Sequence, residues 1–233
     1  MRNRPALAWC RHDGARHVIE GGMAALRGFR LPAAVWALIA LMIAVELVLT
    51  GADLRFWGQP WWRPLAYQYA GFWPGLLESW QPNYAVQPAA MFASYGFLHA
   101  GLWHLGVNVL TLALLAPPLI AQIGRRPFYL LYALSLLGGA IGYAMLTASP
   151  QPMVGCSGAL FGLAGAYLAL DFLRRYDLHL SLLPVLAAIA ALALGNVLTL
   201  WLEDGQLAWQ AHLGGFVTGW IFGVLPLGRR APA

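Results

Sequence analysis

The sequence predicts an all-α membrane protein, a bundle of six transmembrane helices with a long, membrane-embedded first loop and both termini in the cytoplasm. Three observations carry that expectation. The 233 residues are 60% hydrophobic and 10% charged, with a mean hydropathy of +0.63, whereas soluble domains carry about 25% charged residues. Apolar runs recur at the roughly 20-residue length that crosses hydrocarbon. The 14 basic residues are all arginine, and they fall in short clusters between those runs rather than along one face. The pI near 9.6 therefore reads as a topology signal, and no nucleic-acid partner is expected.

Residues 1–30 hold Arg2, Arg4, Arg11, Arg16, Arg27 and Arg30 and read as a cytoplasmic tail without a fold of its own. They show no secretory signal, so the first apolar run is expected to stay in the membrane. Cys10 in this tail and Cys156 in an apolar run do not suggest a disulfide framework. A single membrane domain is expected over 31–228. Its first span runs from Leu31 to about Thr50, with Glu46 near the far end, placed to snorkel or to face a neighbouring helix. Residues 51–100 contain no clean span. Five of the eleven tryptophans lie there, among Pro60, Pro64, Pro74, Pro82 and Pro88. Aromatic-rich, proline-broken sequence of low charge belongs at the headgroup level, so an ordered, half-submerged loop is expected. The second span covers about Leu102–Gln122 and the third about Phe128–Ala148. A fourth opens at Gly155 and ends before Arg174. The fifth covers about Leu178–Leu202 and the sixth about Ala208–Leu225.

With the N-terminus inside, the tail and the pairs Arg125/Arg126, Arg174/Arg175 and Arg229/Arg230 put twelve arginines on the inner side. Only Arg55 and Arg63 are outside, a decisive positive-inside bias. Even-numbered spans then run from outside to inside. His104 and Asn108 start the second, Ser157 starts the fourth and His212 starts the sixth. These residues share one depth, several Å below the outer surface at about 1.5 Å per residue.

That convergence suggests chemistry. A lone serine in Gly155-Cys156-Ser157-Gly158-Ala159-Leu160-Phe161-Gly162 could be mere helix packing, since glycine and serine are common at membrane helix contacts. His212 at the same depth could take its hydroxyl proton, as in serine hydrolases. His104 and Asn108, four residues apart, share a helical face and can both donate hydrogen bonds to an oxyanion. The Ser157 amide, in a first helical turn, would be a third donor. Gly158 and Gly162 on one span and Gly215, Gly219 and Gly223 on another would let the two helices approach closely.

His99-Ala-Gly-Leu-Trp-His104-Leu-Gly-Val-Asn108, then Gly155-Cys-Ser157-Gly158, then Ala211-His212-Leu-Gly-Gly215 resemble the rhomboid intramembrane serine proteases, over about residues 31–226 in order and spacing. The resemblance implies a rhomboid-like bundle with Ser157 as nucleophile and His212 as base. It makes His104 and Asn108 the lining of the oxyanion site and His99 a supporting residue. It also implies a transmembrane protein substrate cut near the outer surface. Two departures stand out. The family often has Trp-Arg about nine residues before the first histidine, where this chain has Ala90-Met91, so the loop must be anchored differently. The residue four after the nucleophile is commonly tyrosine stacked on the base, and here Phe161 keeps the ring.

Other candidates read as structural. A metal site at His99 and His104 is not expected, because their spacing shares no helix face. No cofactor is expected. Cys156 points away if Ser157 points in, His12 and His17 are solvated, and His179 sits at the inner surface. Tyr176-Asp177 resembles the motif of intramembrane aspartyl proteases but lies in an inner loop without a second Gly-x-Gly-Asp. Asp171 is about 21 Å along the helix from Ser157, too far to orient His212. Glu203 and Asp204 lie on the correct side, although a Ser–His dyad is the simpler account. The 203–207 loop and the first loop are the expected covers of the site. One alternative is a catalytically silent rhomboid-like protein that binds transmembrane clients. A transporter is the other, but it would need polar groups along a path through the bundle. The arginine-only, Ala/Leu/Gly-rich usage points to a bacterial inner membrane.

Overall fold

A computed structural model describes residues 31–202 and 204–225. The tail 1–30, Glu203 and the closing Arg229 and Arg230 lie outside the described residues. The helices are α1 (Ala33–Asp53), α2 (Trp62–Ala70), α3 (Gln87–Ser94), α4 (Leu102–Ile123), α5 (Arg125–Leu146), α6 (Ser157–Asp177), α7 (Leu183–Leu202) and α8 (Trp209–Val224). No strand is found among the described residues, only one antiparallel bridge between Phe72 and Met153. Four helices, α1, α4, α5 and α7, are long and apolar enough to cross a membrane. The expected fourth and sixth spans are also helical. However, α6 is glycine-rich and closes on Asp171, Arg174, Arg175 and Asp177, and α8 has 16 residues.

Three boundaries differ from the sequence expectation. The Arg125/Arg126 pair is the start of α5 rather than a loop, because Gly124 at φ +88° turns the chain alone. Pro127 fits there, since first-turn amides have no helical partner anyway. Helix α6 continues through Arg174 and Arg175, which pair with Asp171 and favour the negative C-terminal end. Helix α7 begins at Leu183 rather than Leu178, because His179 takes a left-handed conformation at φ +52°.

Helix α6 is the centre of the bundle and α8 its main neighbour. Gly158, Gly162 and Gly165 on α6 meet Ala211, Gly215, Phe216 and Gly219 on α8. A Cβ on Gly215 would overlap the Gly158 carbonyl oxygen, and one on Gly219 would overlap that of Gly162. Dispersion and close backbone contact drive such association in lipid, where apolar burial does not. The adjacent face of α8 meets α5 in the same way: a Cβ on Gly214 would lie 2.9 Å from Gly142 Cα. By contrast, Val185 is the one buried residue of α7. Its Leu194, Val197 and Trp201 are exposed, as on a lipid-facing helix.

The first loop is ordered and pinned to the bundle. Helices α2 and α3 are joined by Gln87, fully buried, whose amide donates to Gln68 O at 2.7 Å and accepts from Asn83 N–H at 2.7 Å. Phe72, Met91 and Tyr95 pack with Tyr143, Ala159 and Ala211 in a second core. Glu46 does not snorkel; it is fully buried and faces Arg63 of the loop. The guanidinium donates to both Glu46 oxygens at 2.8 and 3.0 Å, to Asp53 at 2.6 Å and to the His99 carbonyl at 2.7 Å. Burial opposes the Arg63 charge, but the bonds to Glu46, Asp53 and Tyr67 outweigh it, so its pKa stands above the ordinary arginine value. This network is the loop's anchor.

Removing one partner of a buried pair leaves the other charge uncompensated, at a cost of about 3–5 kcal/mol. Arg63→Met is therefore expected to lower stability by about that amount in equilibrium unfolding from mixed micelles. The double variant Arg63→Met/Glu46→Met should recover most of the loss. A double variant no more stable than the single one would contradict this account of the anchor.

Candidate active site

The segment leading into α6 is held from both sides. Phe72 and Met153 exchange backbone hydrogen bonds at 3.0 and 2.9 Å, and Gly155 N–H donates to Tyr95 O at 3.0 Å. The Tyr95 hydroxyl in turn donates to Leu136 O of α5 at 2.7 Å. Gly155 then turns the chain at φ +110°, a conformation that favours glycine. Cys156 precedes the helix fully buried, with Sγ 3.9 Å from His99 Nε2. Ser157 follows as the first residue of α6.

His212 lies in the first turn of α8, three residues before Gly215 in the contact with α6. Its Nε2 is 2.8 Å from Ser157 Oγ. The ring stacks on Phe161, one turn beyond Ser157, with centroids 4.2 Å apart and planes 7° from parallel. Its other nitrogen, Nδ1, lies 2.7 Å from Asn196 Oδ1 of α7. Both ring nitrogens are thus engaged, and Asp204 is the partner of neither.

His104 and Asn108 approach from α4. His104 Nδ1 accepts from the Ala100 amide at 3.3 Å, which leaves the ring proton on Nε2. That nitrogen faces Gly155: a Cβ there would lie 2.8 Å from it and 3.6 Å from Asn108 Nδ2. Asn108 Nδ2 is buried and has no hydrogen-bond partner among the described residues. A buried donor left without an acceptor costs about 1–3 kcal/mol, which suits a group that binds charge arising elsewhere. His104 and Asn108 therefore border Gly155, two residues before Ser157.

His99 is fully buried and structural in its contacts. Its carbonyl accepts from Arg63 and, at 2.8 Å, from Tyr67. Its ring meets the His104 ring edge-on at 5.2 Å although the two share no helix face, because His99 precedes α4. No group of three or more His, Cys, Asp or Glu side chains suited to a metal occurs among the described residues. Asp171 is occupied by Arg174 and Arg175, and His179 is exposed.

Of the residues singled out in the sequence, Ser157, His212 and Phe161 meet one another, and His104 and Asn108 meet Gly155. Asn196 was not among those residues. The available signal was a single amide within an apolar 20-residue helix, a position where polar side chains ordinarily face a partner.

A family model described as Rhomboid domain matches residues 87–229. The chain is 33% identical over 220 residues to RHOMBOID-like protein 2 of Arabidopsis thaliana, covering 85% of this chain and 67% of that protein. It is 32% identical over 150 residues to Rhomboid protein 1, mitochondrial, of Saccharomyces cerevisiae (61% and 43% covered). It is 33% identical over 131 residues to the Bacillus subtilis protein named "Putative rhomboid protease YdcA" (55% and 62% covered). The chain spans less than two thirds of the length of the yeast and Bacillus relatives. The family and the apolar helices make this an integral membrane protein.

The close approach of α8 to α6 generates a prediction. Gly215→Ala places a methyl group against the Gly158 carbonyl, and overpacking of this kind costs about 1–3 kcal/mol. Unfolding in mixed micelles should show that loss, whereas Gly195→Ala, with open space around it, should be neutral. Equal effects at the two positions would refute the packing argument.

Proposed function

The chain belongs to the rhomboid family, and on that footing we propose that it is an intramembrane serine endopeptidase that cleaves transmembrane segments of other proteins near the outer leaflet. The observation that carries this reading is the 2.8 Å contact between Ser157 Oγ and His212 Nε2. It joins two helices at a point where hydrocarbon offers neither group another partner. In this reading six helices span the bilayer, that of a bacterial cell membrane, with the arginine-rich termini in the cytoplasm. Residues 31–228 form the protease domain and 1–30 a cytoplasmic tail.

The chemistry follows from the donors and acceptors. Ser157 Oγ attacks the scissile carbonyl carbon while His212 Nε2 takes the hydroxyl proton. The carbonyl oxygen becomes an oxyanion, bonded by the Ser157 amide, His104 Nε2–H and Asn108 Nδ2–H. As the tetrahedral intermediate collapses, His212 returns the proton to the leaving amine and an acyl-enzyme on Ser157 remains. Water, deprotonated by the same imidazole, then attacks the acyl carbon, and the proton passes from His212 to Ser157 Oγ as the ester bond breaks and the acid leaves. Phe161 holds the ring flat against α6 throughout. No metal or cofactor enters this scheme.

Ser157→Ala and His212→Ala are expected to abolish cleavage of a transmembrane substrate reconstituted with the protein in liposomes. His104→Ala and Asn108→Ala should each lower kcat by about 10²–10³ with the fold retained. A serine-reactive fluorophosphonate should label the native protein at Ser157. A silent client-binding relative would stay unlabelled and would cleave nothing, and either result would overturn the reading.

A further inference from the structure

We propose that Asn196 is a positioning residue for His212, its side-chain carbonyl holding the imidazole in the tautomer that leaves the Nε2 lone pair facing the Ser157 hydroxyl. The inference rests on the reading of Ser157 and His212 as nucleophile and base. It rests equally on the 2.7 Å contact between Asn196 Oδ1 and His212 Nδ1.

A neutral imidazole carries one ring proton, and only one placement of it serves a base. With the proton on Nδ1, donated to the Asn196 oxygen, Nε2 is an acceptor and can remove the Ser157 proton. With the proton on Nε2, the ring can only donate toward Ser157 Oγ, and proton removal is blocked. The amide oxygen, rather than the NH2 group, faces the ring, which selects the first arrangement. The same bond persists when His212 gains its second proton. The resulting imidazolium then donates from Nδ1 to Asn196 and from Nε2 to the leaving amine.

The position of Asn196 supports this role over a purely local one. It lies in a 20-residue apolar helix whose one buried residue is Val185, so the bundle barely packs against α7. A carboxamide in such a helix is costly unless it finds a partner. Asn196 is half-buried where its neighbours Gly195 and Val197 are exposed, and its oxygen reaches across to α8. Asp204, one of two acids that the sequence placed on the correct side, makes no such contact. The site thus reads as a triad whose third member is a neutral amide from the least buried of the four long apolar helices. Such a member fixes the tautomer without a buried charge.

The test uses the full chain in liposomes with the transmembrane substrate. Asn196→Leu keeps the size and removes the acceptor, and it should lower kcat by at least about tenfold with KM little changed. Asn196→Asp restores an acceptor and should recover most of the rate. A nitrogen-15 spectrum of histidine-labelled protein, with the His212 signal identified by its loss in His212→Gln, reads the tautomer directly. The native protein should carry its proton on Nδ1, and Asn196→Leu should show a mixture. An unchanged kcat, an unchanged tautomer in Asn196→Leu, or a native proton on Nε2 would each overturn the proposal. A native protein that neither cleaves nor takes the fluorophosphonate would instead count against the protease reading. The tautomer would then still decide whether Asn196 sets the ring.

Discussion

The contact of α6 with α8 is the constraint on which the rest of this structure depends. Gly215 sits so close to Gly158 that no side chain fits between them, and Gly219 repeats the arrangement one turn on against Gly162. Ser157 is one residue before the first contact and His212 three residues before its counterpart, so backbone approach alone brings an alcohol and an imidazole to hydrogen-bond distance. The adjacent face of α8 is closed by Gly138 and Gly142 of α5 against Gly214 and Thr218. A helix gripped on two faces has little freedom to rotate, and the His212 ring inherits that rigidity.

Around this core, polar groups are found where each has a reason to be. Glu46 tolerates complete burial because the Arg63 fork meets both its oxygens, a geometry suited to a guanidinium and not to an ammonium. Through the His99 carbonyl the same guanidinium reaches the turn before α4, which also carries His104 and Asn108. The first loop is thereby linked to the helix that borders the candidate site, and through Phe72 and Tyr95 to the segment that presents Ser157.

Much of this was legible in the sequence, for reasons that differ between residues. Apolar runs mark the long helices because hydrocarbon demands them, and arginine pairs mark their ends. The places of Ser157, His212, His104 and Asn108 in the opening turns of their helices could be counted from those ends. Arg125 and Arg174 were placed outside helices because charge suggests a loop, whereas a single positive-φ glycine and an Asp171 partner let the helices carry them. The Glu46–Arg63 pair was hidden because the end of α1 and the turn after it separate the two residues, and neither motif nor period links them. Asn196 was not legible because a lone amide in an apolar helix carries no motif, and the acids Asp171 and Asp204 are the more obvious orienting groups. A neutral amide serves without the desolvation penalty that a buried charge would carry.

The sparse packing of α7 has a consequence for how this protein meets its membrane. Twenty helical residues extend about 30 Å, close to the thickness of the hydrocarbon layer. With so few bundle contacts, the tilt of α7 responds to hydrophobic mismatch, at a cost of fractions of a kcal/mol per Å. Asn196 travels with that tilt, while His212 stays fixed by the glycine seam. A change in α7 tilt would therefore shift the amide against the ring, and the alignment of the two depends on the helix that the bundle holds least.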